Sequence, residues 1–338
     1  MAGGTIRKAL AAVSLLIAAV VLLGGCSSQP SSARGSTDGL SLPHLATKVD
    51  GEPIGLKPVS LPASVARHLP KGLKVLSLVY WSRGLRCQAY LDVPAGKGPF
   101  PLLVELHGGE IFSGDPVHYT GYPTIDPSIA AGIATAHAIS FLPNYGGYGQ
   151  SQGTPGDPYQ NYRDVVNGLS ALRQISGLHI LADATYLWGF SMGGDVAMIL
   201  AAHDRNVRAA ELVSPYAGPV AMMEWMDAQP QDALTSGDLT DYATMLSQYG
   251  KNLTAKWYQE NSYAYSSIHI PVLIIGGAKD PGFPPALLET MATGLKRYDD
   301  QVEIRFFPGG HAPQSAAVER AEAAWFVSHG LRFSWPWS

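Results

Sequence analysis

Tyr186-Leu187-Trp188-Gly189-Phe190-Ser191-Met192-Gly193-Gly194-Asp195-Val196-Ala197 reads as a short apolar strand, a serine held between glycines, and then an apolar-periodic helix. This is the G-x-S-x-G elbow in the context it requires, strand before and helix after. The serine of such an elbow sits on a strained turn, and a β-carbon at the flanking positions would collide with the neighbouring strand or helix. The turn presents the hydroxyl at the end of the strand and aims the helix N-terminus at it, where negative charge is stabilised. The competing reading is a Gly-Ser-rich turn with no chemistry. The strand-to-helix context favours a nucleophile.

Around that stretch the chain has 338 residues, 46% of them hydrophobic and only 15% charged, which describes a well-packed globular body. A formal charge of −4 leaves no basic footprint for nucleic acid. Length alone allows one large or two modest domains.

The first 25 residues read as a separate segment. Arg7 and Lys8 form a charged start, and Ala9 to Leu23 is an apolar run, too short for a comfortable membrane span and suited to a signal peptide. Leu23-Gly24-Gly25-Cys26 resembles the lipobox of bacterial lipoproteins. The resemblance implies cleavage before Cys26, a diacylglyceryl thioether on its sulfur and an extracytoplasmic, membrane-anchored protein. An ordinary secretory signal that contains a cysteine is the alternative. Removing residues 1–25 takes away two basic groups and no acidic ones, moving the charge from −4 to −6. With Cys26 acylated, Cys87 is the remaining thiol, so no intrachain disulfide is expected. Cys87 reads as a small buried hydrophobe.

Residues 26–72, rich in Ser, Pro and Gly, read as a tether and extension, with the folded domain at 73–338. Val75–Trp81 and Leu85–Leu91 read as a hairpin turning at Ser82-Arg83-Gly84. Strands are expected at Leu102–Leu106, Ala138–Leu142, the elbow, Ala209–Ser214, Val272–Gly277 and Val302–Phe307. They alternate with helical patterns at Ile129–Thr135, Tyr159–Ile175, after Ser191, and at Ser315–Ser328. This alternation predicts an α/β class with a mainly parallel sheet covered by helices on both faces. The interval 215–268, with Met222, Met223, Trp225, Met226, Trp257 and Tyr258, interrupts the rhythm and is expected to form a small helical cap.

A serine hydroxyl is a weak nucleophile at neutral pH and needs a base, which in turn needs an orienting acid. In chains with this elbow the acid and then the histidine follow the serine. Asp280 lies in the loop after the strand ending Ile275-Gly276-Gly277, whereas the other downstream acids fall in the presumed cap or in polar segments. His311 lies in Pro308-Gly309-Gly310-His311 directly after the last strand, whereas His203, His269 and His329 are not on such a loop. The oxyanion donors are expected from the backbone N–H of Met192 and from Gly109, in the loop after His107. His107 reads as a structural residue bonded to that loop.

The chain resembles the catalytic domain of the prolyl oligopeptidase family within the α/β-hydrolase superfamily. The carrying residues are Phe100–Val104 running into His107-Gly108-Gly109, Asn144-Tyr145-Gly146-Gly147-Tyr148-Gly149, Gly189–Gly194, Pro271–Ile275 with Asp280, and Gly310-His311. The likeness covers about residues 75–330; its triad motifs belong to the whole superfamily, and the Asn-Tyr-Gly-Gly-Tyr-Gly stretch points to this family. It implies an α/β-hydrolase fold and a serine hydrolase acting on a peptide, small amide or ester bond through an acyl-enzyme. Glu110 and Tyr145 are the candidate substrate contacts. Two departures stand out. Family peptidases commonly carry a β-propeller, which the short stretch between Cys26 and Leu73 cannot form, and Glu110 stands where proline is common. They favour, as an alternative, a carboxylesterase acting on small acyl or acetylated-sugar esters. A catalytically silent binding protein is the third reading, disfavoured by the intact Ser-Asp-His set.

The dinucleotide fingerprint fails at Gln152, and no metal-ligand cluster is present, so neither cofactor nor metal is expected. The expected partners are a small-molecule or peptide substrate and a membrane, without nucleic acid; oligomeric state is not legible.

Overall fold

The computed structural model describes residues 37, 39–43, 48–61, 63–67, 69–109, 111–112, 137–230, 236–299 and 301–332. Cys26, Glu110 and the helix expected at Ile129–Thr135 lie outside the described residues. No helix among the described residues is long and apolar enough to cross a membrane.

The sheet begins before Leu73. Pro53–Pro58 (β1) pairs antiparallel with Lys74–Ser82 (β2), Leu56 facing Leu78, so the boundary expected at residue 73 falls inside the fold. The Pro-rich composition conceals this strand, yet proline suits an edge strand, whose outer N–H groups have no ladder to join. Leu85–Val93 (β3) returns along β2. Arg83 and Gly84, at φ 52° and 73°, supply the two left-handed residues of a tight hairpin.

The remaining strands are Phe100–Leu106 (β4), Ile139–Asn144 (β5), Ile180–Phe190 (β6), Val207–Val213 (β7), Val272–Gly277 (β8) and Val302–Phe307 (β9). They form one nine-stranded sheet ordered β1-β2-β3-β5-β4-β6-β7-β8-β9. The pairs from β5 onward are parallel, and those among β1, β2, β3 and β5 antiparallel. From β4 the chain first steps to β5 on one side and then to β6 on the other. The strand order reverses there, and the carboxyl ends at such a reversal leave a crevice where ligands bind.

Helices cover both faces. Pro158–Arg173 (α1), Met192–His203 (α2) and, further along, Pro285–Lys296 (α6) bury their apolar sides in a core with Leu78, Val104, Leu187 and Ile274. On the other face Ala316–Ser328 (α7) sets Val318, Trp325 and Phe326 against Tyr186, Ala209 and Leu273. Between β7 and β8 run Pro219–Ala228 (α3), Ser236–Tyr249 (α4) and Lys256–Glu260 (α5). Met222, Met223, Met226, Met245 and Tyr258 are buried there, packing these helices together, while Trp257 stacks on Tyr249 at 3.6 Å and points its Nε1 at Asp157.

Candidate active site

The elbow takes the strained form its glycines anticipate. Ser191 sits at φ 54°, ψ −124°, a left-handed conformation costly for any residue with a side chain. Backbone bonds hold it there: its N–H donates to Val213, and its carbonyl accepts from Gly194 and Tyr216. A β-carbon at Gly189 would lie 2.6 Å from the carbonyl of Gly193, and one at Gly193 would overlap the carbonyl of Leu106. The turn can close only with hydrogen at both positions.

The loops after β8 and β9 bring the other two groups to the serine. The ladder between these strands continues past their ends, with Ala278 and Lys279 donating at 2.8 Å to Phe307 and Gly309. Gly277 faces the Gly310 carbonyl with no space for a side chain. Asp280 and His311 are thereby fixed side by side. His311 Nε2 lies 2.9 Å from Ser191 Oγ, and His311 Nδ1 lies 2.9 Å from Asp280 Oδ2. The second oxygen of Asp280 accepts from the backbone N–H groups of Gly282 and Phe283 at 2.9 and 3.1 Å. Burial acts to raise the Asp280 pKa, but the bonds from His311, Phe283 and Gly282 outweigh it and hold the carboxylate below its ordinary range. The imidazole therefore has a carboxylate on one nitrogen and the serine hydroxyl on the other.

Of the two expected oxyanion donors, Met192 opens α2 immediately after Ser191, where a helix N–H has no intrahelical acceptor. Gly109 lies in the loop after β4, and a β-carbon on its neighbour Gly108 would come within 2.9 Å of Ser191 Cβ, so this loop runs directly beside the serine.

A sequence model of the prolyl oligopeptidase family matches residues 145–330. The chain belongs to the prolyl oligopeptidase family. It is a serine hydrolase with the α/β-hydrolase fold. The acetyl xylan esterase from Paenibacillus sp. R4 is similar in structure, with 17% identity, a TM-score of 0.58, and 81% of this chain and 88% of that one covered. Acetyl xylan esterase 1 from Thermoanaerobacterium sp. gives 18% identity, a TM-score of 0.53, and coverage of 79% and 85%. The acylaminoacyl peptidase of Pyrococcus horikoshii gives 17% identity and a TM-score of 0.52, with 71% of this chain covering 38% of that one. No curated protein matches the sequence.

In this prolyl oligopeptidase family member the Asn144–Gly149 stretch supports the site from below. Tyr145, expected to touch substrate, is instead fully buried: it stacks on His107 at 4.1 Å and donates its hydroxyl to the His107 carbonyl at 3.2 Å. An aromatic beside glycines looks like a ligand contact in sequence, but the turn at Gly146–Gly147 directs this ring into the core. Tyr148 meets His107 edge-on at 4.9 Å, and its hydroxyl occupies the space a side chain at Gly109 would need. His107 is structural, as its motif suggested: Nδ1 lies 2.7 Å from the Gly108 carbonyl, and burial lowers its pKa to about 4, keeping it neutral.

Two contacts escaped sequence reasoning. The rings of Phe190 and Phe283 lie 5.2 and 5.1 Å from the His311 ring. Phe190 is the variable letter inside the elbow, and Phe283 follows Asp280 by three residues, so position alone marked neither.

Proposed function

We propose that this chain hydrolyses peptide, small amide or ester bonds with Ser191 as nucleophile, His311 as general base and acid, and Asp280 as the group that orients the imidazole. The observation that carries the proposal is the unbroken hydrogen-bonded order Asp280–His311–Ser191, 2.9 Å at each step. Ser191 Oγ attacks the substrate carbonyl carbon as its proton passes to His311 Nε2. The carbonyl oxygen becomes an oxyanion facing the N–H groups of Met192 and Gly109. The bond to the leaving group then breaks, and the leaving group takes the proton from the imidazolium. Water adds to the acyl-serine, gives a proton to His311, and the acid product departs as Ser191 recovers its hydrogen. Glu110 is the proposed partner for a substrate ammonium.

Family membership supports a peptide or amide substrate. A second reading, a carboxylesterase for small acyl or acetylated-sugar esters, is favoured by coverage: the acetyl xylan esterases are spanned over most of their length, the peptidase over less than half of its own. Matched panels of short p-nitrophenyl esters and aminoacyl p-nitroanilides, with Ser191→Ala as control, separate the two. Selective amide cleavage lost in the variant supports the peptidase, and ester turnover alone supports the esterase. No turnover and no fluorophosphonate labelling would defeat both.

We further propose that the chain is exported and anchored by a diacylglyceryl group on Cys26, on the strength of the Leu23–Cys26 motif. Incorporation of labelled fatty acid that persists in Cys26→Ala would refute it.

A further inference from the structure

The His311 ring is not bordered by the triad alone. Its side chain is 37% exposed, and Phe190 and Phe283 come against it from two different elements, with centroid distances of 5.2 and 5.1 Å. Both rings are held independently of the histidine. Phe190 ends β6, and a side chain at Gly108 would come within 3.1 Å of its Cδ1. Phe283 is buried against Tyr216 at 5.8 Å, and its N–H donates to the carboxylate that orients His311. The hydrolytic cycle makes the imidazole cationic twice, each time it carries the serine or water proton. A cation over the face of an aromatic ring, within about 6 Å of its centroid, is attracted by the ring quadrupole. The imidazole plane is inclined to the two phenyl rings by 47° and 58°, flat on neither and perpendicular to neither.

We propose that Phe190 and Phe283 are positioning residues that stabilise the His311 imidazolium during acyl transfer. The proposal rests on the assignment of His311 as the base. Two effects of the rings oppose each other: as apolar cover they disfavour the charged imidazole, and through the part of the quadrupole that these tilted rings turn toward it they favour it. Leucine keeps most of the cover and removes the quadrupole, so Phe→Leu isolates the second effect. The ionisable group bonded to the imidazole is Asp280, on the loop after β8; Lys279 beside it and Glu319 and Arg320 on α7 are exposed, where solvent and salt screen them. Asp280 is unchanged in either variant.

The test is an NMR titration of the His311 Cε1–H signal, assigned by its absence in His311→Gln, in the full-length protein and in Phe190→Leu and Phe283→Leu. Alongside it, kcat and KM are measured on the best ester or anilide. Each leucine is expected to lower the His311 pKa by about half a unit, with the acid limb of kcat/KM moving by the same amount. The loss in kcat is about three- to fivefold at unchanged KM. A His311 pKa that stays in place or rises in both variants would overturn the proposal and leave the phenyl rings as packing alone. Half-buried Phe190 carries the test if Phe283→Leu does not fold. Because the titration needs no turnover, a shifted pKa in a protein that hydrolyses nothing would count against the hydrolytic reading and not against the rings.

Discussion

The hydroxyl of Tyr145 holds the carbonyl of His107 at 3.2 Å, and its ring lies flat on the imidazole of the same residue at 4.1 Å. One buried side chain thus fixes both the backbone and the side chain of the residue that leads into Gly108 and Gly109. The loop bearing Gly109, the proposed oxyanion donor, is placed by this contact, which makes Tyr145 a support and explains why it touches no solvent. Tyr145→Phe keeps the stack and removes the bond. We expect a stability loss of about 1 kcal/mol and a fall in kcat of about tenfold with KM unchanged, since a misplaced donor weakens transition-state binding. Steady-state kinetics with a thermal melt checks it; a raised KM at constant kcat would mean the loop binds ground-state substrate instead.

The stretch bearing Tyr145 is itself tied down across the chain. Asp164 on α1 accepts from Arg83 Nε and Nη2 at 2.8 Å each, from Ser82 Oγ at 2.5 Å and from the Gly146 N–H at 2.8 Å, and its side chain is fully buried. Removing one member of a buried pair leaves the other charge uncompensated, at a cost of about 3–5 kcal/mol. Asp164→Asn is expected to lose roughly that much in urea unfolding, and Arg83→Lys less, because an ammonium keeps the charge and loses the two-pronged geometry. Equal losses in both variants would contradict the importance of the fork. The exposed pair of Lys251 and Asp227 is the contrast: solvent and salt screen both charges, so breaking it should leave the urea midpoint nearly unchanged.

These relationships mark where reading the sequence stops. Ser191, Asp280 and His311 were legible because each follows a strand, and parallel strands deliver their carboxyl ends to one edge. The family stretch at Asn144–Gly149 was legible as a motif but not as a support, since the partner of Gly146 lies 18 residues away on α1 and the partner of Tyr145 lies 38 residues back. β1 was hidden by prolines that an edge strand, here with a bulge at Pro53–Gly55, accommodates. Asp92 alternates with apolar neighbours as a solvent-facing residue would, and Glu105 and Glu211 stand singly in apolar runs, but both faces of this sheet are covered and all three are buried.

The elbow glycines give a sharp steric prediction. The methyl of Gly193→Ala would overlap the Leu106 carbonyl at the end of β4. Relief requires α2 to move away from that strand, carrying Met192 and Ser191 with it. We expect a loss of at least about 2 kcal/mol together with near-complete loss of fluorophosphonate labelling. Gly84→Ala is the control: it puts an alanine at φ 73°, but its β-carbon meets open space. It should cost about 1 kcal/mol and leave labelling intact. Labelling at the wild-type rate in Gly193→Ala would show that the elbow tolerates a wider gap.

Burial of the sheet carboxyls sets an alkaline limit on stability. Burial pushes the Asp92 pKa up to about 8, and raises Glu105 well above its usual range with the Asp92 charge adding to it. Burial and then the nearby Glu322 do the same for Glu211, with Arg305 partly opposing. A pKa raised by folding means that the native state holds a proton the unfolded chain has released. The stabilisation is complete below the ordinary carboxylate pKa and is lost as pH climbs toward the folded value, near 8 for Asp92. Asp92→Asn is neutral at every pH, so the difference between its melting temperature and that of wild type should shift in its favour by roughly 5–10 °C as pH rises from about 5 to 9. Glu105→Gln and Glu211→Gln should flatten the same slope. Melts from pH 5 to 9 decide the matter: if Asp92→Asn with Glu105→Gln loses stability toward alkaline pH as steeply as wild type, the dependence arises from groups outside this buried row.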